Sequence, residues 1–551
     1  MTVNPGLACG AVVAGQIPLD RLTGAGGCPV ACGVNATFLR FTSAYAYPPG
    51  GVTMDPAVTC VRGTLSAIST NLTDLTADSV TVLGVDLLIQ SNASLTAVSF
   101  MALPTIGTAG ISNDLLITSN PALEGVDFSS LGTIFGKLEI TSNGLLPNLG
   151  TLAGLTAVLG AIKIWNNATL DLPFAELAAL TVAGSGIEVS GNPAMATLDL
   201  SALTLVGFAS SGSVTINANA LVLLDLSGLM AVQSGISVTS EPNLFALSPA
   251  AWVLPAVAKS LVIANNPSLL DLNVLTSILA VGQDVLIDNN DALGSITGLG
   301  GTLAAVGAQL TVRGNGALPA VSFPVLPAVG RLELRDNDAM VALGFDVLAA
   351  VTGEVRIEGN ASLPDVGVGT VGFPMLAMTS GQVYVHDNDA MTALVFPALA
   401  AIGWQLWVSY NPALTLVDFP ALAATAGELH FNNNTALPAI GGPLVGDPGF
   451  PVLGAVAKRI YLDSNTALAF FRLPALAAIT SPIGGTAPQA WVKFNTALTR
   501  FVLDTWVDPV GFCGPGGPGL NTITAKANMG VCADLFAIPG CGFFVAVTCT
   551  P

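Results

Sequence analysis

The residues able to do chemistry are few and gathered late in the chain. Its two histidines, His386 and His430, share a stretch with Tyr384, Trp407, Tyr461 and Trp491. Aspartates flank an asparagine in RDNDAM (Asp336, Asp338) and again in HDNDAM (Asp387, Asp389). Paired carboxylates suit a calcium turn or the acid and base of a glycoside-cleaving solenoid. Tight corners favour Asp and Asn for their own local hydrogen bonds, which accounts for both sets without metal or catalysis. The histidines have no neighbouring Cys or repeated His spacing for a zinc site, and no G-x-S-x-G elbow or phosphate loop stands where a strand meets a helix. The residues therefore point to no enzyme, no metal and no cofactor, and the aromatic group remains as a strip that could bind.

Positioning that strip is the work of a repeat. Units such as LLITSNPAL, LELRDNDAM, VYVHDNDAM and LWVSYNPAL recur with a mean period of about 25 residues, the range of solenoids. The repeated asparagine includes Asn120, Asn192, Asn266, Asn290, Asn337, Asn388, Asn411 and Asn434, and Glu241 takes its place once. After it, apolar residues recur every two or three positions, as in Leu414, Val417, Phe419 and Leu422. That spacing fits neither a helix stripe nor a long strand, but a coil of short strands and tight corners with its large side chains inside. The fold class expected is all-β: one elongated parallel β-solenoid of about seventeen coils, roughly 80 Å long at ~4.8 Å per coil. A leucine-rich horseshoe with helices on its convex side is the runner-up. Each ladder asparagine is expected to be buried at a corner, its amide satisfying backbone groups of its own coil and the next.

Strand alternation then sends the residues four and two before each asparagine outward. The first column ends Glu333, Arg356, Tyr384, Trp407, His430, Tyr461, Trp491; the second holds Trp165, Arg313, Arg335, Glu358, His386, Asp463 and Lys493. On a structural reading the rings stack coil on coil, and Glu333 with Arg356 and Arg335 with Glu358 pair across adjacent strands, each pair contributing about 0.2–1 kcal/mol. On a functional reading Tyr384, His386, Trp407, His430, Tyr461 and Trp491 form a strip for sugar rings or a partner protein. The outward columns are too mixed for the regular Thr array that ice binding would want.

The units LEITSNGLL and VRIEGNASL resemble the receptor L-domain repeat, found in insulin-receptor-type ectodomains and in fungal cell-wall proteins of the Ecm-thirty-three/Sps-two type. The resemblance covers residues from about 85 to 500. It implies a right-handed β-solenoid in an extracellular protein with a binding or wall-organising role. The uninterrupted run of coils departs from that family, as does the want of an apolar GPI-type tail.

Composition sets the outer limits. The 551 residues are 52% hydrophobic but only 9% charged, and the mean hydropathy is +0.70. Asn, Asp, Pro, Gly or a basic residue nevertheless interrupts every apolar run before the 18 or more residues of a spanning helix, so no membrane span is expected. A net charge of -19 argues against nucleic acid or an anionic membrane as partner. The stretch MTVNPGLACGAVVAG has no basic n-region, so either a signal was removed or export follows another route. Cys9, Cys28, Cys32 and Cys60 stand at one end and Cys513, Cys532, Cys541 and Cys549 at the other. They are disulfide candidates of an oxidising, extracellular or cell-surface location, eight reduced core cysteines being the alternative. Their pairing is open. The expected domains are a Cys-containing cap over 1–60, a solenoid over 61–500 and a second cap over 501–551.

Sequons occur at Asn35, Asn71, Asn92, Asn167, Asn360 and Asn433. Asn92, Asn167 and Asn360 are ladder residues, so glycans are expected only at Asn35, Asn71 and Asn433. With so little charge the exterior must be largely Ala, Gly, Thr, Ser, Val and Leu, and such a surface calls for a cover. The first expectation is a non-enzymatic structural protein that associates with itself in a fibre, sheath or surface layer. The second is an adhesin or receptor-like ectodomain that binds glycan or protein through the strip, and the third a polysaccharide-cleaving solenoid.

Overall fold

The chain is a parallel β-solenoid in a computed structural model that describes most of residues 51–502. Beyond that range it describes the strands Val34–Ala36, Leu39–Thr42, Thr524–Lys526 and Phe536–Ala537. Chain contacts divide it into two compact units, Met1–Leu270 with Val274–Ile278, and Asp271–Asn273 with Leu279–Pro551.

A typical coil has three short strands. In the second unit Leu406–Ser409 precedes Asn411, Leu416–Asp418 follows it, and Ala424–Thr425 closes the turn. Each strand pairs in parallel with its counterpart one coil away, so identical repeat positions lie side by side: Leu406 opposite Leu429 and Val408 opposite Phe431. The first unit obeys the same rule, with Leu115 opposite Leu138 and Ile117 opposite Ile140. Alternation places Leu406 and Val408 in the core, and Leu414, Val417, Phe419 and Leu422 line the rest of the coil at about 1% exposure or less. Inside the second unit the rings of Phe323, Phe345, Phe373, Phe396, Phe419 and Phe450 form an unbroken stack with centroids 5.0–5.9 Å apart. The horseshoe with convex helices is not what forms: the described residues hold one α-helix, Thr297–Thr302, and one 3-10 turn, Leu152–Gly154.

Each unit holds an asparagine ladder. Asn120 donates its backbone N–H and its Nδ2 to Oδ1 of Asn143, each at 3.1 Å, and Nδ2 also donates to the Ile89 carbonyl of the preceding coil. One side chain thus serves three coils, and no buried donor or acceptor at the corner is left to desolvation alone. Among the described residues Thr70 is the first rung of the first unit, donating its N–H and Oγ1 to Asn92 Oδ1, a rung that the Asn pattern does not reveal. Glu241 takes its rung with the carboxylate accepting from Asn219 N, Asn219 Nδ2 and Leu221 N. Asn92, Asn167 and Asn360 are fully buried with their amides engaged, so the folded chain does not offer them for glycosylation. Asn71 is exposed and Asn433 half-buried; the Asn35 side chain lies outside the described residues.

The corner itself has a backbone signature that the sequence reading missed. The residue before the ladder position is left-handed: Ser91 at φ 58, Ser119 at φ 58, Asp336 at φ 53, Tyr410 at φ 55 and Phe494 at φ 52. Short polar residues and Gly are the usual occupants of that region. Gly359 is left-handed for a further reason, since a Cβ there would collide with Oδ1 of Asp336 on the adjacent coil. Asp336 and Asp387 are these corner residues, as the turn reading expects. Cys60 is buried and disulfide-bonded; Cys9, Cys28, Cys32, Cys513, Cys532, Cys541 and Cys549 lie outside the described residues.

Candidate binding face

The outward side of the strands before each asparagine differs between the units. In the first, Leu88 and Leu116 are followed by Glu139, Lys163 and Glu188. Lys137 pairs with Glu139 at 3.4 Å, and Lys163 Nζ lies 4.3 Å from the Trp165 ring. No ring column arises there. In the second unit the same side begins as ions and ends as aromatics.

The ionic part is a fork-and-ladder network. Arg313 Nε and Nη2 hold Asp288 at 2.9 and 2.8 Å, a bidentate grip on a nearly buried carboxylate. Arg335 reaches Glu358 across the strands at 3.4 Å, as expected. Glu333 does not choose Arg356: its ion pair is to Arg331 at 3.3 Å, two residues back on its own strand, and Arg331 also holds Glu354 at 2.9 Å. Arg356 turns instead to Glu358, with Nε at 2.6 Å. Facing residues in parallel strands compete with same-face neighbours on one strand for a long guanidinium: the same-strand partner wins at Arg356, while Arg313, Arg331 and Arg335 also hold the facing carboxylate.

Arg356 also lies over the Tyr384 ring at 4.8 Å, where the aromatic column starts. Tyr384 faces Trp407 at 6.0 Å and 38°, Trp407 stacks on His430 at 3.9 Å and 29°, and His430 stacks on Tyr461 at 4.5 Å and 14°. Trp491 continues this register in its backbone; its side chain lies outside the described residues. The rings stand on edge, faces turned to one another along the stack, so the column offers ring edges outward. His430 is only 9% exposed. Burial depresses its imidazole to about 4, so the ring is neutral inside the stack. Burial, and after it the Glu358 carboxylate, raise the Tyr384 phenol above its usual value. Ser409 is fully buried between two partners, accepting from Trp407 Nε1 at 2.6 Å and meeting His386 Nδ1 at 2.7 Å. The pair looks like a nucleophile and its base, but a hydroxyl with no exposure reaches no substrate, and its role is to orient both rings.

Polar side chains border this stack on both sides, and one border escaped the sequence reading. Six residues before the asparagine the second unit carries another outward column: Gln382 Nε2 donates to Glu354 Oε1 at 2.8 Å, and Gln405 Nε2 donates to Gln382 Oε1 at 2.8 Å. The detectable signal was the run of long polar residues at Arg331, Glu354, Gln382, Gln405, Glu428 and Arg459. His386, Ser409, Asn432 and Asp463 form the other border. At the corners, Trp404 is 46% exposed beneath Lys458 Nζ at 3.7 Å, and Tyr410 is 50% exposed with its ring edge-on to His386 at 5.1 Å.

Among the described residues no group of His, Cys, Asp or Glu is arranged to hold a metal, and no helix is long and apolar enough to cross a membrane. No family model and no curated protein matches the chain. Among solved structures it is similar to the functional domain of InlJ from Listeria monocytogenes, at 14% identity over 79% of this chain and 74% of that one, with a TM-score of 0.19. It is similar also to TLR13 in a complex with ssRNA13, at 12% identity over 86% and 88% of the two chains, TM-score 0.19. Likenesses of this size carry no function from either protein to this chain.

Proposed function

We propose that this chain is a non-enzymatic extracellular structural protein whose principal partner is a second copy of itself. The supporting observation is one side of the second unit that is almost without charge. Six coils repeat a heptapeptide, FPVLPAV, FDVLAAV, FPMLAMT, FPALAAI, FPALAAT and FPVLGAV, in which Asp346 is the single charged residue. The phenylalanine points inward, while Val325, Val347, Met375, Met378 and Val452 are 42–57% exposed. Ala328, Ala350, Ala401, Ala424 and Ala455 lie in register with Met378 on successive strands, a flat row in which Met378 alone extends beyond a methyl.

A chain with net charge -19 repels its copies in general, and a side almost without charge is where two can meet. Six strands at ~4.8 Å and a width of ~12 Å give a patch of ~350 Å². Two such patches bury ~700 Å², below the 1,200–2,000 Å² of a stable complex, so single contacts are weak and a layer holds through many of them. The disulfide at Cys60 suits an oxidising extracellular setting, and caps over 1–60 and 501–551 belong to the same proposal.

Light scattering and negative-stain microscopy over a concentration series test it. Assemblies are expected at high concentration, with monomers restored by Val347→Lys with Met375→Lys, both at exposed positions. Single particles at every concentration would overturn the reading.

A further inference from the structure

We propose that the ring-edge column of the second unit is a binding site for a neutral, β-linked polysaccharide, whose chain lies along the stack with one sugar per coil. This site is on the asparagine-side strands, and the inference does not depend on the self-association proposed above.

Three observations define the ligand. First, the outward side chains of Val383–His386, Leu406–Ser409 and Leu429–Asn432 include no Asp, Glu, Lys or Arg. With net charge -19 around it, such a strip repels polyanions and offers a polycation no ion pair. Secondly, the rings show their edges. A cation needs a ring face, and the faces of Trp407, His430 and Tyr384 are already covered by one another and by Arg356. Ring edges carry the positive end of the quadrupole and suit oxygen atoms. Thirdly, one border has at its centre, between Glu354 and Glu428, two amides with valences in hand: the Gln382–Gln405 chain uses one N–H of each amide, leaving the other N–H of each and the Gln405 carbonyl oxygen. A group that both donates and accepts, such as a sugar hydroxyl, matches them.

The repeat fixes the linkage class. Coils advance by ~4.8 Å, close to the advance per sugar of an extended β-linked hexose chain. Two successive sugars can then meet Gln382 with Tyr384 and Gln405 with Trp407 on adjacent coils. A chain whose linkage makes it coil, as an α-1,4 glucan does, falls out of step after one or two contacts. Trp404 and Tyr410, half-exposed at the two corners of one coil, stand where they would flank the chain.

Affinity electrophoresis of the full chain tests this with hydroxyethylcellulose as the neutral β-linked probe, dextran as the α-linked one and polygalacturonate as the polyanion. Retardation by hydroxyethylcellulose alone is expected, weakened at least ten-fold in Gln382→Ala with Gln405→Ala, whose far-UV spectrum should equal that of the parent. Val347→Lys with Met375→Lys should bind as the parent does, whether or not it still associates. No retardation by hydroxyethylcellulose, equal retardation by polygalacturonate, or undiminished binding by the double glutamine variant would each overturn the proposal.

Discussion

Asn388 directs two donors at one atom: its backbone N and its Nδ2 lie 3.1 and 3.2 Å from Oδ1 of Asn411. Its own Oδ1 accepts the same pair from Asn360, at 3.2 Å each, and its Nδ2 also reaches the Ile357 carbonyl at 3.1 Å. Asn388 is therefore acceptor to one neighbour and donor to the other. A carboxylate cannot donate, and a hydroxyl carries one proton against the two N–H of a carboxamide, so asparagine serves this rung better than aspartate or serine.

Asn388→Ala should destabilise the second unit by about 3 kcal/mol, because it strands two Asn360 donors and the Ile357 carbonyl in a fully buried corner. Chemical unfolding reads the loss. Hydrogen exchange of the Asn360 amide locates it, and protection there equal to the parent's would show that the rung contributes nothing.

His430 makes stability depend on acid. Its folded value of about 4 lies below the ordinary 6.5, so the unfolded chain takes up the proton first. The contribution is whole above 6.5 and is lost as pH falls from there through 4, to a limit of about 3 kcal/mol. His430→Phe keeps a ring between Trp407 and Tyr461 and should flatten that part of the stability profile. With two histidines in the chain, an imidazole titration by NMR separates them; a His430 midpoint near 6.5 would contradict its burial.

Much of this was legible in residue types alone. The Asn spacing sets the coils, and the residues three and five before Asn411, Val408 and Leu406, are core as alternation requires. The ring column followed from the same count. Other features depend on geometry that no single coil contains. Whether rings at ~4.8 Å spacing show faces or edges is settled only when Trp407 meets His430. Whether Glu333 takes Arg331 or Arg356 is a contest between near-equal reaches. Thr70 stands in for asparagine because a hydroxyl beside an N–H can mimic its donors toward Asn92, and a pattern keyed to Asn passes over it. Tyr410 and Phe494 occupy left-handed corners that propensity gives to Gly or Asn, so the corner was visible only as backbone.

Glu241 is the ladder's exception, and its chemistry is opposite to that of His430. It is fully buried, and burial raises its carboxyl above the usual 4.5, against the lowering effect of the hydrogen bonds from Asn219 and Leu221. A carboxyl raised in the folded state favours folding most when protonated. Its contribution is therefore full below about 4.5 and is lost as pH rises through the folded value. Glu241→Gln removes the charge at constant length, and its Oε1 can still accept both Asn219 donors, while the amide N–H₂ meets the Leu221 N–H less well. The variant should be less sensitive than the parent to a rise in pH from 4 to 8, whatever its stability at any one pH. Unfolding of the two proteins across that range measures the difference in slope; parallel profiles would mean that Glu241 holds its rung as an ordinary, unperturbed carboxylate.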